Sequence, residues 1–515
     1  GSAITISAGG CVVEGFKVTG GGSQEGNFFT GPDAGITVSS DGNTLVNNTA
    51  SNNNYGIVLW HVSDNTLTNN VAKVNKYDGI YIDFSSNNYI IDNTASDNEV
   101  GIKIMRASNY NKITNNTISA NKAWGIRQFV PELGPWLPSS SSYLTIANNN
   151  VSNNGNGTYL SRSSYKTITA NIVCSNKGYG IRLFGSTSNK LRKNELYGNK
   201  YNFDVNCFGT SWNQDIDKTN TVNGKPIYYL IGESGITLDE STNAGYVALI
   251  SCNKITVKNL NLTNNGQGIL LVETPNSVLL NNTILNNEDG IHFHVSRDNI
   301  ITNCNFSNNV HGIYLYNSMS TNITNNDISN CGKGIWAFIS SGNTTIHNNN
   351  IWNNSEMGIR LGCNYGNSVI GNNVSNNENG IGLYSEHSKI SGNTVISNAC
   401  NGIDICGDAW YNSIVGNTIS LNGYGCEKGY GIKLRCYSYN SIYHNNLVNN
   451  SNQAYDAKYN TNSWDNSPIN GGNYWSDHKC TGNPSNGSQP YNITGDAGAQ
   501  DHYPFKDIWG WENEI

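Results

Sequence analysis

Short runs of alternating apolar and polar residues, separated by asparagine and glycine, recur along the chain. Ile113-Thr-Asn-Asn116-Thr-Ile118-Ser-Ala-Asn121 is representative. Alternation with a period of two in such short pieces predicts strands, with Asn and Gly supplying left-handed backbone at the corners. A second marker, Gly-Ile-x-Leu, sets the register. It recurs in exact or near-exact form at Gly35, Gly56, Gly79, Gly101, Gly125 and Gly180, and again at Gly268, Gly290, Gly312, Gly334, Gly358, Gly380, Gly402 and Gly431. Most steps are about 22 residues, a period that signals stacked units, none of which buries a core alone. The pattern predicts an all-β fold, a single-stranded parallel β-helix. A leucine-rich horseshoe would need a helix or a Leu-x-x-Leu-x-Leu strand in each repeat, and neither occurs.

Asparagines fall into two columns on this register. One runs through Asn48, Asn70, Asn93, Asn116, Asn149, Asn171 and Asn194, resuming at Asn282, Asn326, Asn349, Asn372, Asn393, Asn417 and Asn445, with Cys304 substituting once. The other includes Asn121, Asn154, Asn176, Asn287, Asn309, Asn354, Asn377, Asn398, Asn422 and Asn450. Coils about 4.8 Å apart let each amide donate to one neighbour and accept from the other, so these residues are expected to be scaffold ladders. The organisation expected is a coil block over 1–200 with a Pro-rich insertion at about 129–142, an irregular element over 201–245, and a second block over 246–453. An aromatic, turn-rich tail over 454–515 would cap the exposed strand edge.

Composition narrows the function classes. Charged residues make up 13%, about half the usual share, with a net charge of −7 and no basic block. Nucleic acid and anionic membrane surfaces are therefore excluded as expected partners. No apolar run approaches the length of a membrane span. The chain opens on Gly1-Ser2 rather than Met, as a processed or tagged chain would. The 12 cysteines form no Cys-x-x-Cys pair, which points to disulfides in an oxidising compartment. Register places Cys406 beside Cys436 and Cys400 beside Cys426 on adjacent coils, so both bridges are expected, with Cys304 a buried thiol. Glycosylation sequons stand at Asn47, Asn115, Asn150, Asn156, Asn261, Asn281, Asn305, Asn322, Asn343, Asn353, Asn373, Asn449, Asn486 and Asn492.

Several segments outside the repeat carry a resemblance. Asn223-Gly-Lys-Pro-Ile-Tyr-Tyr229, followed by Gly245-Tyr-Val-Ala-Leu-Ile-Ser-Cys252, resembles the NosD-like proteins of the carbohydrate-binding and sugar-hydrolase (CASH) β-helix class. Gly471-Gly-Asn-Tyr-Trp-Ser-Asp477 and Asp501-His-Tyr-Pro-Phe505 resemble archaeal cell-surface members. The resemblance implies an envelope protein, a glycan binder or a polysaccharide-active enzyme, and a NosD-like role would bring copper with it.

In Gly-Ile-x-Leu-z the Ile and Leu face inward, and x and z face outward. Two outward patches stand out. Asp83, Lys103 and Arg127, with Arg106 nearby, place a carboxylate and cations on consecutive coils, as a polysaccharide lyase, epimerase or hydrolase would need; a plain charge ladder is the alternative. His292, His294, Tyr314, Tyr316, Trp336, Phe338, Arg360 and Tyr384 form the second, an aromatic face suited to stacking on sugar rings or to anchoring a partner. Asp289, Arg297 and Asp298 flank it. Two histidines do not make a metal site, so no metal and no cofactor are expected. The reading is a secreted or cell-surface β-helix with a structural and glycan-binding role, non-catalytic, partnered by polysaccharide or by copies of itself. A polysaccharide-active enzyme is the alternative.

Overall fold

A computed structural model describes residues 1–22, 32–129, 141–207, 212–407, 409–435, 439–457 and 461–514. Most of the Pro-rich insertion lies outside the described residues, and so does Cys436, with its expected bridge to Cys406. The chain forms two compact units. One comprises Gly1–Tyr229, Asn243–Val247 and Asn264–Gln267; the other comprises Leu230–Thr242, Ala248–Thr263 and Gly268–Ile515.

Each full coil of the first unit contributes one longer and two short strands, and successive coils pair in parallel. The long strands form a 9-stranded sheet in which Ile57, Ile80, Ile102 and Ile126 stand in register. A second 9-stranded sheet aligns Leu45, Leu67, Ile90 and Ile113, and a third face aligns Ala50, Ala72, Ala95 and Ile118. These residues have no solvent exposure beyond 1% and make the core column; burying each larger aliphatic side chain contributes roughly 2 kcal/mol. The glycine that opens each long strand is steric. A Cβ on Gly56 would lie 2.4 Å from the carbonyl oxygen of Gly79 on the next coil.

The paired asparagines at the corners divide two tasks. The first of each pair, such as Asn47, Asn69 or Asn115, takes a left-handed φ of 54–58° and turns the chain. The second points inward: Asn48 Nδ2 donates to Asn70 Oδ1 at 3.0 Å, Asn70 to Asn93, and Asn93 to Asn116. The second column extends back through Asn53, Asn75 and Asn98. A third column, unforeseen, links Asn43, Asn65, Asn88 and Asn111. Lys166 occupies one rung of it, 1% exposed; its Nζ donates to the Ser163 carbonyl at 2.8 Å, and burial pushes its ammonium well below the usual range.

The stretch expected to be irregular begins as a regular coil. Tyr201–Asn206 pairs in parallel with Tyr179–Phe184, and Thr221–Val222 with Glu195–Tyr197. The break comes at Asn223-Gly224, both at positive φ, which reverse the chain into the antiparallel strand Lys225–Ile231.

The second unit repeats the plan, with two 10-stranded sheets and a long-strand sheet running from Asp289–His294 to Ala454–Asp456. Cys304 sits in the ladder, accepting from the Asn282 N–H, and Cys331 takes the same role in the second column. Cys400 and Cys426 are bridged, with Cα atoms 5.1 Å apart. The tail returns to the stack: Tyr474–Trp475 pairs with Asn446–Val448, covering that edge. Behind it Trp464 and Trp475 are buried, their indoles donating to the buried carboxylates Asp456 and Asp501 at 2.8 Å each.

Candidate functional site

On the long-strand sheet of the first unit, the expected grouping of Asp83, Lys103 and Arg127 does not assemble. Asp83 is fully buried, held by the Arg106 guanidinium and by the Tyr81 hydroxyl at 2.9 Å. Lys103 reaches another carboxylate, Asp78, at 3.3 Å. Asp78 precedes Gly79 and is 2% exposed; burial pushes its carboxyl up to about 6 against the pull of Lys103 and Arg127. Arg127 lies over the Phe129 ring, its buried Nε without a hydrogen-bond partner among the described residues. Much of this outward face is covered: Val58 and Tyr81 form a buried cluster with Ala34, against which Tyr55, Trp60 and Met105 pack.

The second unit brings most of the expected aromatic residues together. Tyr314 and Trp336 stand on neighbouring coils with ring centroids 4.8 Å apart, and Phe338 lies 5.3 Å from Trp336. The Arg360 guanidinium, one coil on, sits 5.7 Å from the Trp336 ring and 5.2 Å from the Tyr384 ring of the following coil. The result is a half-buried row of aromatic, aromatic, cation and aromatic side chains. Trp336 Nε1–H at its centre is buried without a hydrogen-bond partner among the described residues, an arrangement that costs free energy unless a ligand or water accepts from it. Lys333, paired with Glu356, also lies 4.9 Å from the centre of the indole.

The two predicted histidines diverge. His294 stacks on Tyr316 at 5.1 Å, and burial together with His292 holds it down at about 4. His292 turns to Asp289, its Nδ1 donating at 2.7 Å, and His311 on the next coil donates from Nδ1 to the other oxygen at 2.7 Å. Burial pushes the Asp289 carboxyl up, but these two hydrogen bonds outweigh it and hold it at about 2. Tyr314 lies against both imidazoles, its phenol pushed up to about 12 by burial and by Asp289. Sequence reasoning missed His311, Lys333 and Glu356. The signal for the first two was the residue before each Gly-Ile, which also faces outward: Asp289, His311 and Lys333 form that column. Arg297 and Asp298, expected to flank the face, pair with each other in solvent.

Comparison with known proteins follows this architecture. A model described as a right-handed β-helix region matches residues 7–129, 34–200, 131–241 and 205–351. A model of the periplasmic copper-binding protein NosD matches 337–480. Among the described residues no three His, Cys, Asp or Glu side chains are grouped so as to hold a metal ion. No protein of curated function matches the sequence. Similar solved structures include the periplasmic alginate epimerase AlgG, at 15% identity over 59% of this chain and 76% of that one, with a TM-score of 0.32. The mannuronan C-5 epimerase AlgE6 A-module of Azotobacter vinelandii shares 13% over 78% and 88%, with a TM-score of 0.25. DFA-IIIase from Arthrobacter chlorophenolicus A6 shares 10% over 56% and 79%, with a TM-score of 0.26. No helix among the described residues is long and apolar enough to cross a membrane. With the family model covering most of its length and successive coils paired in parallel, the chain belongs to the right-handed β-helix family.

Proposed function

We propose that the chain is an extracytoplasmic, cell-surface β-helix that binds polysaccharide along the outward face of its second unit, without chemistry of its own. The Trp336 indole carries this reading: a half-buried ring whose N–H has no partner among the described residues, set between Tyr314 and the Arg360–Tyr384 pair. Sugar rings present C–H faces that stack on aromatics and hydroxyls that accept from an indole N–H, so one bound saccharide answers both needs. Arg360 and Lys333 favour acidic glycans. The sequon asparagines support an exported chain, since all but Asn156 are exposed. The test is binding of the full chain to immobilised neutral and uronate polysaccharides, with Trp336→Ala beside it. Retention that falls at least tenfold in the variant is the expected result; binding indifferent to Trp336 would sink the proposal.

A second reading, a polysaccharide lyase or epimerase, is favoured by the bridging carboxylate. Asp289 holds His311 by Nδ1, which orients the ring to act as a base through Nε2, and the Tyr314 ring lies 5.8 Å from it. Release of unsaturated uronate from a soluble polymer, lost in His311→Phe, would replace the non-catalytic reading.

A further inference from the structure

Away from the sheet faces, one corner of the coil carries stacks of exposed aromatic rings. In the first unit Tyr110, Tyr143 and Tyr165 occupy it on three consecutive coils. Their centroids are 4.9 and 5.3 Å apart and their planes within 10° of parallel. In the second unit Tyr365, His387, Tyr411 and Tyr439 form a stack with spacings of 5.0, 5.1 and 5.3 Å, the last pair within 9° of parallel. The six tyrosines are 47–57% exposed.

The backbone does not ask for tyrosine here. Tyr110, Tyr143, Tyr165, His387 and Tyr411 have φ between 50° and 59°, and on other coils this corner is taken by Asp64, Asn87, Ser188, Asn276, Asp298 or Ser320. Small polar residues tolerate the left-handed region; a bulky ring there is uncommon. Nor do the rings offer a sugar platform, because each inner ring has its faces against its neighbours. The edges remain open, with the hydroxyl and the carbons ortho to it. Among the described residues these hydroxyls have no hydrogen-bond partner. Near-parallel rings at this spacing put corresponding ortho carbons about 5 Å apart; because the new bond lies in the plane of both rings, coupling turns the two exposed side chains about χ1 and χ2 from stacked to edge-to-edge.

We infer that these stacks are sites of oxidative tyrosine coupling, forming dityrosine staples between neighbouring coils: Tyr143 with Tyr110 or Tyr165, and Tyr411 with Tyr439. The oxidant is hydrogen peroxide acting through a haem peroxidase. Each phenol loses its O–H hydrogen, as one electron and one proton, and the two phenoxyl radicals join through a new carbon–carbon bond between ortho positions. The two displaced ring hydrogens shift to the oxygens and restore both phenols. One peroxide takes up the two hydrogens lost and leaves as two waters. The Cys400–Cys426 bridge already ties coils together in the second unit, and a dityrosine would do the same from outside.

The structure supplies internal controls. His387 separates Tyr365 from Tyr411, so that pair should not couple. Tyr424 is 68% exposed but stacks on no ring among the described residues, so it should form no bridge within the chain. The test treats the dilute full-length protein with peroxide and horseradish peroxidase, isolates monomer, and maps cross-linked peptides by mass spectrometry. Expected are dityrosine fluorescence in the monomer, a loss of two hydrogens per bridge, and cross-links at Tyr143 and at Tyr411–Tyr439. Tyr143→Phe should abolish the first and Tyr439→Phe the second, each leaving the other intact, while His387→Tyr should add a new coupling partner. Dityrosine confined to dimers, monomer dityrosine that survives in the double Phe variant, or a monomer with none would each overturn the inference.

Discussion

Asp78 and Asp289 stand at the same point of the coil, immediately before the glycine of Gly-Ile, one in each unit. Both are buried, at 2% and 8% exposure, yet their carboxyls are driven in opposite directions, to about 6 and about 2. The difference is in the partners. Asp78 has a single ammonium 3.3 Å from one of its oxygens, and burial wins. Asp289 receives a short hydrogen bond on each oxygen, and the hydrogen bonds win. A repeat scaffold dictates where a side chain goes; the neighbours one coil away decide its chemistry.

Substitution should separate the two most strongly. Asp289→Asn leaves two imidazole N–H groups without their charged acceptor and is expected to cost about 3 kcal/mol in denaturant unfolding at pH 7. Asp78→Asn removes a charge that burial opposes and should cost under about 1 kcal/mol or stabilise. Equal effects would break the comparison. The pH dependence comes next. Asp78 has a raised folded pKa, so its contribution is fully present below pH 4 and is lost as pH rises through about 6. The stability of wild type relative to Asp78→Asn should therefore fall by up to about 3 kcal/mol from pH 4 to pH 8. Asp289 has a depressed folded pKa, so its contribution holds above pH 4 and is lost only as pH falls through about 2. Parallel curves for the two variants would refute the assignment. His311→Phe keeps a ring and removes one donor; a loss of about 1–2 kcal/mol is expected, with acid sensitivity moved to higher pH. Smallest is Lys103→Met, which should carry the Asp78 transition upward, at a cost of about 1 kcal/mol or less.

The coil was legible because its requirements are local and repeated. Gly-Ile-x-Leu and the Asn-Asn pairs each report a steric or hydrogen-bonding need that every coil shares. The third ladder escaped notice because Leu144, Lys166, Thr321 and Thr344 interrupt it, and a column is easier to see unbroken. The site was half legible. Register put Tyr314, Trp336, Phe338 and Arg360 on one face, where they are. It could not show that His292 turns toward Asp289 while His294 stacks on Tyr316, since rotamers follow from neighbours on other coils. It grouped Asp83 with Lys103 and Arg127 on consecutive coils, whereas the long Lys103 side chain reaches back to Asp78 and Arg106 takes Asp83.

The first ladder of the second unit has a direction. It begins where the Leu260 N–H, a donor that needs nothing in return, binds Asn282. From Asn326 to Asn473 each amide repeats the same donation to the next. It ends where the Asn473 N–H meets Asp501, a residue whose ionised form only accepts. This is the grammar of a polymer, with separate parts for initiation, propagation and termination. The propagating part carries no information about its own length. Whole coils are therefore the natural unit of gain or loss for this molecule, with the number of turns free to vary while both ends stay the same.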